Sequence, residues 1–361
     1  MVRHRLVWIV FGLVALLMLA RIAGRAPGQI LRERIQQKIE EREANAQVTP
    51  RGPATCQQSP NLGFTIVTFS GGLRAAVWYP SLAGEARYQY ADGLVTALAA
   101  DSAAAGCEPY PVVVFSHGFG GCGTQSLFLT ETLARAGYVV VAPDHKDALC
   151  KVDQPRGKMR FERAEEPFRQ PQRWDDATYR DRERDIRTVL DEMPRHPRFG
   201  KQIDASRIGV AGHSLGGYTA AAMAGAWPTW RDSRIKAALL LSPYVEPFLI
   251  KGTLGGIQVP VMYQGGDRDN GITPQIAKPD GAYDQTSPPK YFLELRSTGH
   301  LGWTILICEP YGGVPGCVEH SERARLIGDF ATAFFDRYLR DRPEPRLDRP
   351  DPQLADFRHQ D

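Results

Sequence analysis

Ser214 lies in Gly212-His213-Ser214-Leu215-Gly216, behind the apolar run Ile208 to Ala211 and ahead of the Ala-rich stretch Tyr218 to Ala226. That pattern predicts a buried strand, a tight turn with the serine at its apex, and a helix leaving the turn. A serine hydroxyl is a weak nucleophile at its free pKa, so it needs exposure, an adjacent general base and a carbonyl carbon within reach. Glycines at 212 and 216 permit the strained turn and close packing of strand against helix. The N-terminus of the following helix would direct free N–H groups at an oxyanion beside the serine. A bare Gly-x-Ser-x-Gly also arises in ordinary glycine-rich turns; the strand before it and the helix after it separate the two cases.

A base and an acid stand where such a serine needs them. The run Tyr291 to Leu295 ends in Gly299-His300, and Val259 to Tyr263 ends in Gly265-Gly266-Asp267-Arg268-Asp269. Each is an expected strand presenting an ionisable group at its C-terminal end, where ligands collect in open parallel sheets. His300 would take the Ser214 proton and return it to the leaving group, while a carboxylate holds the imidazole tautomer and offsets its charge. Asp269, in a Gly-x-x-Asp spacing followed by Pro274, is the expected acid. Asp267 is the alternative, and the unused one becomes a turn residue or cap. Upstream, Pro111 to Phe115 runs into Ser116-His117-Gly118-Phe119-Gly120-Gly121. Such a loop can offer the Phe119 amide beside that of Leu215 as an oxyanion hole. His117 and His213 are read as braces of these loops, and Phe119, Tyr218 and Trp303 as candidate apolar walls of an acyl pocket, each of which would also suit a core.

The segments VVFSHGFGG and LFLTETLARAGYVVVAPDHKD, the helix Asp185 to Met193, the stretch IDASRIGVAGHSLGG and the WYP of Trp78 to Pro80 resemble the platelet-activating-factor acetylhydrolase branch of the α/β-hydrolases. The resemblance spans about Phe64 to Phe248. It implies an α/β fold with a mostly parallel central sheet and helices on both faces, and oxyanion donors at Phe119 and Leu215. It also implies hydrolysis of carboxylic esters through an acyl-enzyme on Ser214. One departure matters. The acetylhydrolase acid follows the strand after the nucleophile helix, and that place here is Ser242 in LLLSPY. The acid must then come from the next strand, as in dienelactone-hydrolase-like and bacterial polyester-hydrolase relatives, which agrees with Asp269. The resulting order of serine, acid and histidine is that of this fold. An amidase, a peptidase, an acyltransferase or a non-catalytic protein retaining the fold could carry the same parts.

A net charge of +3 and 43% hydrophobic residues describe an ordinary globular chain with no footprint for nucleic acid. No metal-ligand spacing and no phosphate-binding glycine motif occurs, so no cofactor or metal is expected. The resemblance implies a small-molecule or lipid ester as the partner. Six cysteines fit an oxidising, extracytoplasmic compartment. Cys308 and Cys317 flank a Pro/Gly-rich loop, Cys122 and Cys150 follow successive strands, and Cys56 and Cys107 remain, although six cysteines allow fifteen pairings.

The N-terminal 1–28 carries an uncharged apolar run, Leu6 to Ala20, flanked by arginines. It reads as a membrane anchor or signal segment, with an uncleaved anchor preferred because the cleavage positions are poor. A polar helical stalk is expected over 29–55, the catalytic domain over 56–341, and a loosely held Pro-rich tail over 342–361. Phe64 to Phe69 and Leu73 to Tyr79 alternate as an antiparallel hairpin. The polar stretch 151–176, with Phe161, Phe168 and Trp174, would be a lid, a rim or a plain surface insertion.

Overall fold

The computed structural model describes residues 34–37, 40, 48–154 and 166–361. Among the described residues, eleven strands form one sheet: β1 Asn61–Thr68, β2 Arg74–Ser81, β3 Ala86–Gln89, β4 Val95–Ala100, β5 Tyr110–Ser116, β6 Val139–Pro143, β7 Ile203–His213, β8 Ile235–Leu241, β9 Val261–Gly266, β10 Lys290–Leu295 and β11 Leu354–Gln360. Their spatial order is β11-β10-β9-β8-β7-β5-β6-β2-β1-β4-β3. The central block from β6 to β10 is parallel throughout. β2 joins it antiparallel to β6, with β1 antiparallel to β2.

The parallel strands are legible in their residues. YPVVVFS of β5 and VVVAP of β6 are buried along their whole lengths, as strands covered by helices on both faces must be. Among the described residues, helices of seven residues or more are α1 Leu127–Arg135, α2 Arg180–Glu192, α3 Leu215–Ala221, α4 Val314–His320 and α5 Glu322–Arg340. Ile186 and Val189 of α2 and Leu215 and Tyr218 of α3 enter the core on one face of the sheet. Leu127 and Leu133 of α1, Val314 of α4 and Phe330, Phe334 and Phe335 of α5 fill the other. The i, i+4 spacing of Phe330 and Phe334 sets them one turn apart on the buried stripe of α5. Ser321 caps that helix by accepting from the Ala324 amide at 3.3 Å.

The chain runs from β5 outward to β6 and then returns to the other side of β5 as β7. The strand order reverses there, which opens a crevice beyond the carboxyl ends of β5 and β7. The loop after β5 and Ser214 after β7 both face it.

Two expectations need correction, and one element, the antiparallel hairpin β3–β4, lies in a stretch of weak alternation for which no strand is expected. The supposed tail is not loose: Leu347 is fully buried, and β11 pairs antiparallel with β10 from Lys290↔Gln360 to Leu295↔Leu354. Proline and charge content signals disorder, but an open strand edge supplies backbone hydrogen bonds that composition does not register. Residues 51–54, read as stalk, bond to the domain, Glu85 N donating to Arg51 O and Ala54 N to Leu82 O. The expected anchor, most of the stalk and residues 155–165 of the polar stretch lie outside the described residues.

Candidate active site

Ser214 occupies the bend between β7 and α3 with φ 55° and ψ −116°, a conformation few non-glycine residues adopt. The backbone around it is held from several sides. Its amide donates to Leu241 O, and its carbonyl accepts from the amides of Tyr218 and Tyr244, each at 3.0 Å. A Cβ at Gly212 would collide with the backbone of Gly216, and one at Gly216 with the carbonyl of Ser116. The bend therefore requires glycine at both positions, and strain at the serine is kept by its surroundings.

His300 opens a short turn after β10. Its Nε2 lies 2.9 Å from Ser214 Oγ, and its Nδ1 lies 2.9 Å from Asp269 Oδ2. Facing a carboxylate, Nδ1 carries the proton and Nε2 is left to accept from the serine. Asp269 is almost wholly buried, which by itself would raise its pKa. The hydrogen bond and charge of His300, together with the Ser242 hydroxyl, outweigh burial and hold the carboxyl below its ordinary value. Asp267 is turned away, accepting from the Thr298 amide at 3.1 Å. Ser242 is the participant that the residues alone did not reveal. Its hydroxyl donates to Asp269 Oδ2 and lies 2.9 Å from His300 Nδ1. The available signal was its place at the end of β8, the position that the family resemblance reserves for an acid.

The loop after β5 is tied down amide by amide. Gly118 N donates to Gln125 Oε1 at 2.9 Å, Gly120 N to Asp147 Oδ2 at 3.3 Å and Gly121 N to Gly118 O at 3.0 Å. His213 is buried, and burial pushes its pKa down to about 3, so the ring is neutral. It accepts from Gln125 Nε2 at 2.9 Å on Nδ1 and donates from Nε2 to His300 O at 2.8 Å. A three-bond bridge thus runs from the loop after β5, through Gln125 and His213, to the backbone of His300.

A serine at a strained bend, a histidine bonded to it and a buried carboxylate behind the histidine are groups that can together perform acyl transfer. Comparison with known proteins points the same way. The family described as "Platelet-activating factor acetylhydrolase, isoform II" matches residues 68–187, which include the loop after β5 and stop short of Ser214. Over 200 residues the chain is 28% identical to cutinase est1 of Thermobifida alba, covering 54% of this chain and 55% of that one. Cutinase 2 of Thermobifida cellulosilytica is likewise 28% identical over 200 residues, 54% of this chain and 62% of that protein. The chain thus spans about half the length of the curated relatives it matches. A ferulic acid esterase from Streptomyces cinnamoneus superposes with a TM-score of 0.57 at 27% identity, covering 85% of this chain and 99% of its own. The chain has the α/β-hydrolase fold and is similar to serine esterases.

Within this fold, two of the three expected pocket walls lie elsewhere. Tyr218 and Trp303 are 0% exposed. Tyr218 stacks on Phe248 and accepts from Trp227 Nε1, while Trp303 donates to Gln264 Oε1 at 3.1 Å. Position 218, one turn beyond Ser214, points a helical side chain into the core, and a buried indole finds its acceptor there. Phe119 is 39% exposed and meets Phe168 edge-on at 5.4 Å. Phe168 in turn packs against Trp174 and Tyr244, so the described end of the polar stretch forms an aromatic rim beside the serine. Disulfides join Cys122 to Cys150, Cys56 to Cys107 and Cys308 to Cys317; the first ties the loop after β5 to the one after β6. Among the described residues, the one group able to share a metal ion is Asp348, His359 and Asp361 at the β11 end, where Arg337 already bonds both Asp348 oxygens.

Proposed function

We propose that this protein is a serine esterase in which Ser214, His300 and Asp269 act as nucleophile, base and acid. The observation that carries the reading is the pair of 2.9 Å contacts joining Ser214 Oγ, His300 Nε2 and Nδ1, and Asp269 Oδ2, built on a serine at φ 55°. Ser214 Oγ attacks the ester carbonyl carbon as His300 Nε2 takes its proton, and the carbonyl electron pair moves onto the oxygen. The amides of Phe119 and Leu215 stabilise that oxyanion. Collapse of the intermediate expels the alcohol with the proton from His300. Water then repeats the sequence on the acyl-enzyme and frees the acid. The cutinase and ferulic acid esterase likenesses support a carboxylic ester as substrate, small or polymeric. Phe119 and the rim around Phe168 would line its acyl side.

The three disulfides favour an extracytoplasmic site of action, because such bonds persist in oxidising compartments. The apolar run Leu6 to Ala20 would deliver or tether the domain there.

Kinetics on p-nitrophenyl butyrate with Ser214→Ala provide the test. Turnover should fall by a factor on the order of 10⁶ with the thermal melt unchanged, and fluorophosphonate labelling of the native chain should map to Ser214. Full activity in folded S214A would end the serine reading.

A further inference from the structure

The mechanism uses the Phe119 amide and leaves unexplained a buried polar group beneath it. Arg182 of α2 is fully buried, and its guanidinium forks onto Asp147, Nε to Oδ1 at 3.0 Å and Nη2 to Oδ2 at 2.7 Å. The same guanidinium donates to the carbonyls of His117 at 2.7 Å and Gly118 at 3.4 Å, and to Ser116 Oγ at 3.3 Å. Asp147 meanwhile accepts from the Gly120 amide at 3.3 Å. The ion pair thus grips the backbone on both sides of Phe119.

His117 adds a second grip. Its Nδ1 lies 2.7 Å from Gly118 O, and the His145 amide donates to its Nε2 at 3.0 Å. A carbonyl can only accept and an amide N–H can only donate, so His117 is the neutral tautomer protonated on Nδ1. Burial first, and then the Arg182 charge, hold its pKa well below the ordinary histidine value, which keeps the ring neutral.

The consequence follows from peptide geometry. Gly118 C=O and Phe119 N–H belong to one planar trans peptide and point in opposite directions. Whatever holds the carbonyl therefore aims the amide. Rotating this peptide by half a turn would set a carbonyl oxygen, in place of a donor, against the developing negative charge. We infer that His117 and Arg182 are positioning residues that, by holding Gly118 O, aim the Phe119 N–H at the oxyanion formed on Ser214. The inference rests on the proposed role of the Phe119 amide in ester hydrolysis.

The test is kinetic and uses the full chain. His117→Phe keeps a ring of similar shape and removes both hydrogen bonds. His117→Asn retains a side-chain N–H able to reach the same carbonyl. Arg182→Met combined with Asp147→Leu removes both halves of the buried pair and strands no charge. Each variant is measured for kcat and KM on p-nitrophenyl butyrate, for Ki of an alkyl trifluoromethyl ketone and for thermal stability. The ketone carbon bonds to Ser214 Oγ, the serine proton passes to His300, and the ketone oxygen becomes an oxyanion. One oxyanion donor is worth about 10²–10³ in kcat, and a misaimed donor loses part of that. H117F and the double variant should therefore lose kcat by roughly 10- to 100-fold at a nearly constant KM, with the ketone Ki rising by the same factor. H117N should recover most of both.

A folded H117F with native kcat, a kcat loss with unchanged ketone Ki, or an H117N no better than H117F would overturn the inference. Where H117F does not fold, ¹⁵N NMR of native His117, identified through its bond to the His145 amide, decides: the Nδ1–H tautomer upholds the inference and the Nε2–H tautomer refutes it. Activity in S214A strikes the serine reading itself and is scored separately, so the two failures are distinguishable.

Discussion

Asp269→Asn removes one negative charge and almost none of the shape. Two donors converge on Asp269 Oδ2, the hydroxyl of Ser242 and Nδ1–H of His300. An asparagine must turn its carbonyl oxygen to that corner, because its NH₂ there would set donors against each other. His300 then keeps its proton on Nδ1, and Nε2 still accepts from Ser214. What disappears is the attraction between the carboxylate and the imidazolium formed in the transition state. At an effective dielectric of about 20 and a charge separation of about 4 Å, that attraction is about 4 kcal/mol. The His300 side chain is 34% exposed, so water screens part of it. The expected loss in kcat for D269N is thus on the order of 10² to 10³. Removing Ser242 as well frees the amide to flip, placing NH₂ against Nδ1 and forcing the proton onto Nε2. A wrong tautomer has cost roughly 10⁴ where a serine triad suffered it, so S242A/D269N should approach that loss. S242A alone, with the charge intact, should lose about tenfold or less, the scale of one hydrogen bond. Steady-state kinetics on p-nitrophenyl butyrate from pH 6 to 9 measure all three variants. If the double variant is no slower than D269N, Ser242 does not orient the acid and the reasoning fails.

Two further outcomes follow from burial and packing. Glu131 accepts from Tyr90 and Thr96 in the core, and burial raises its pKa from 4.5 to about 7. Since the folded state holds this proton more tightly than the unfolded one, its stabilisation is full below pH 4.5 and is lost as pH climbs to about 7, a change of about 3 kcal/mol. Urea melts of Glu131→Gln should therefore gain on the native chain by about that amount across this window, and a gap independent of pH would refute the assignment. Gly216→Ala drives a methyl into the Ser116 carbonyl, so it should cost about 1–3 kcal/mol and lower kcat as the loop after β5 is displaced. Native melting and kinetics in G216A would show that the bend has more room than the approach of Gly216 to the Ser116 carbonyl implies.

Much of this architecture can be read from local patterns. The all-apolar runs of β5 and β6 announce central strands, and Gly212 and Gly216 announce a bend that no other residue type fits. His300 and Asp269 stand out because each ends an expected strand with an ionisable group. The order of strands in the sheet is a non-local property, and the β11 edge was missed for that reason: Leu354 and Phe357 look like stray apolar residues until β10 lies beside them. Tyr218 and Trp303 read equally as pocket wall or core because an aromatic near Ser214 or His300 in sequence can face either way, and only packing decides. Ser242 and the Arg182–Asp147 pair were hidden for a similar cause. Their partners are 27 and 35 residues distant along the chain, and no spacing encodes such an encounter.

The bridge formed by Gln125 and His213 bears on how this scaffold can change. Because one unbroken string of hydrogen bonds connects the Gly118 amide to the His300 carbonyl, the segment that would steady the charged oxygen and the segment that carries the proton acceptor share a common mount. Shortening or lengthening residues 118–121 to admit a bulkier acyl chain would therefore drag the imidazole out of register with the serine. A variant that recasts the mouth of the crevice will have to alter Gln125 or His213 in the same step.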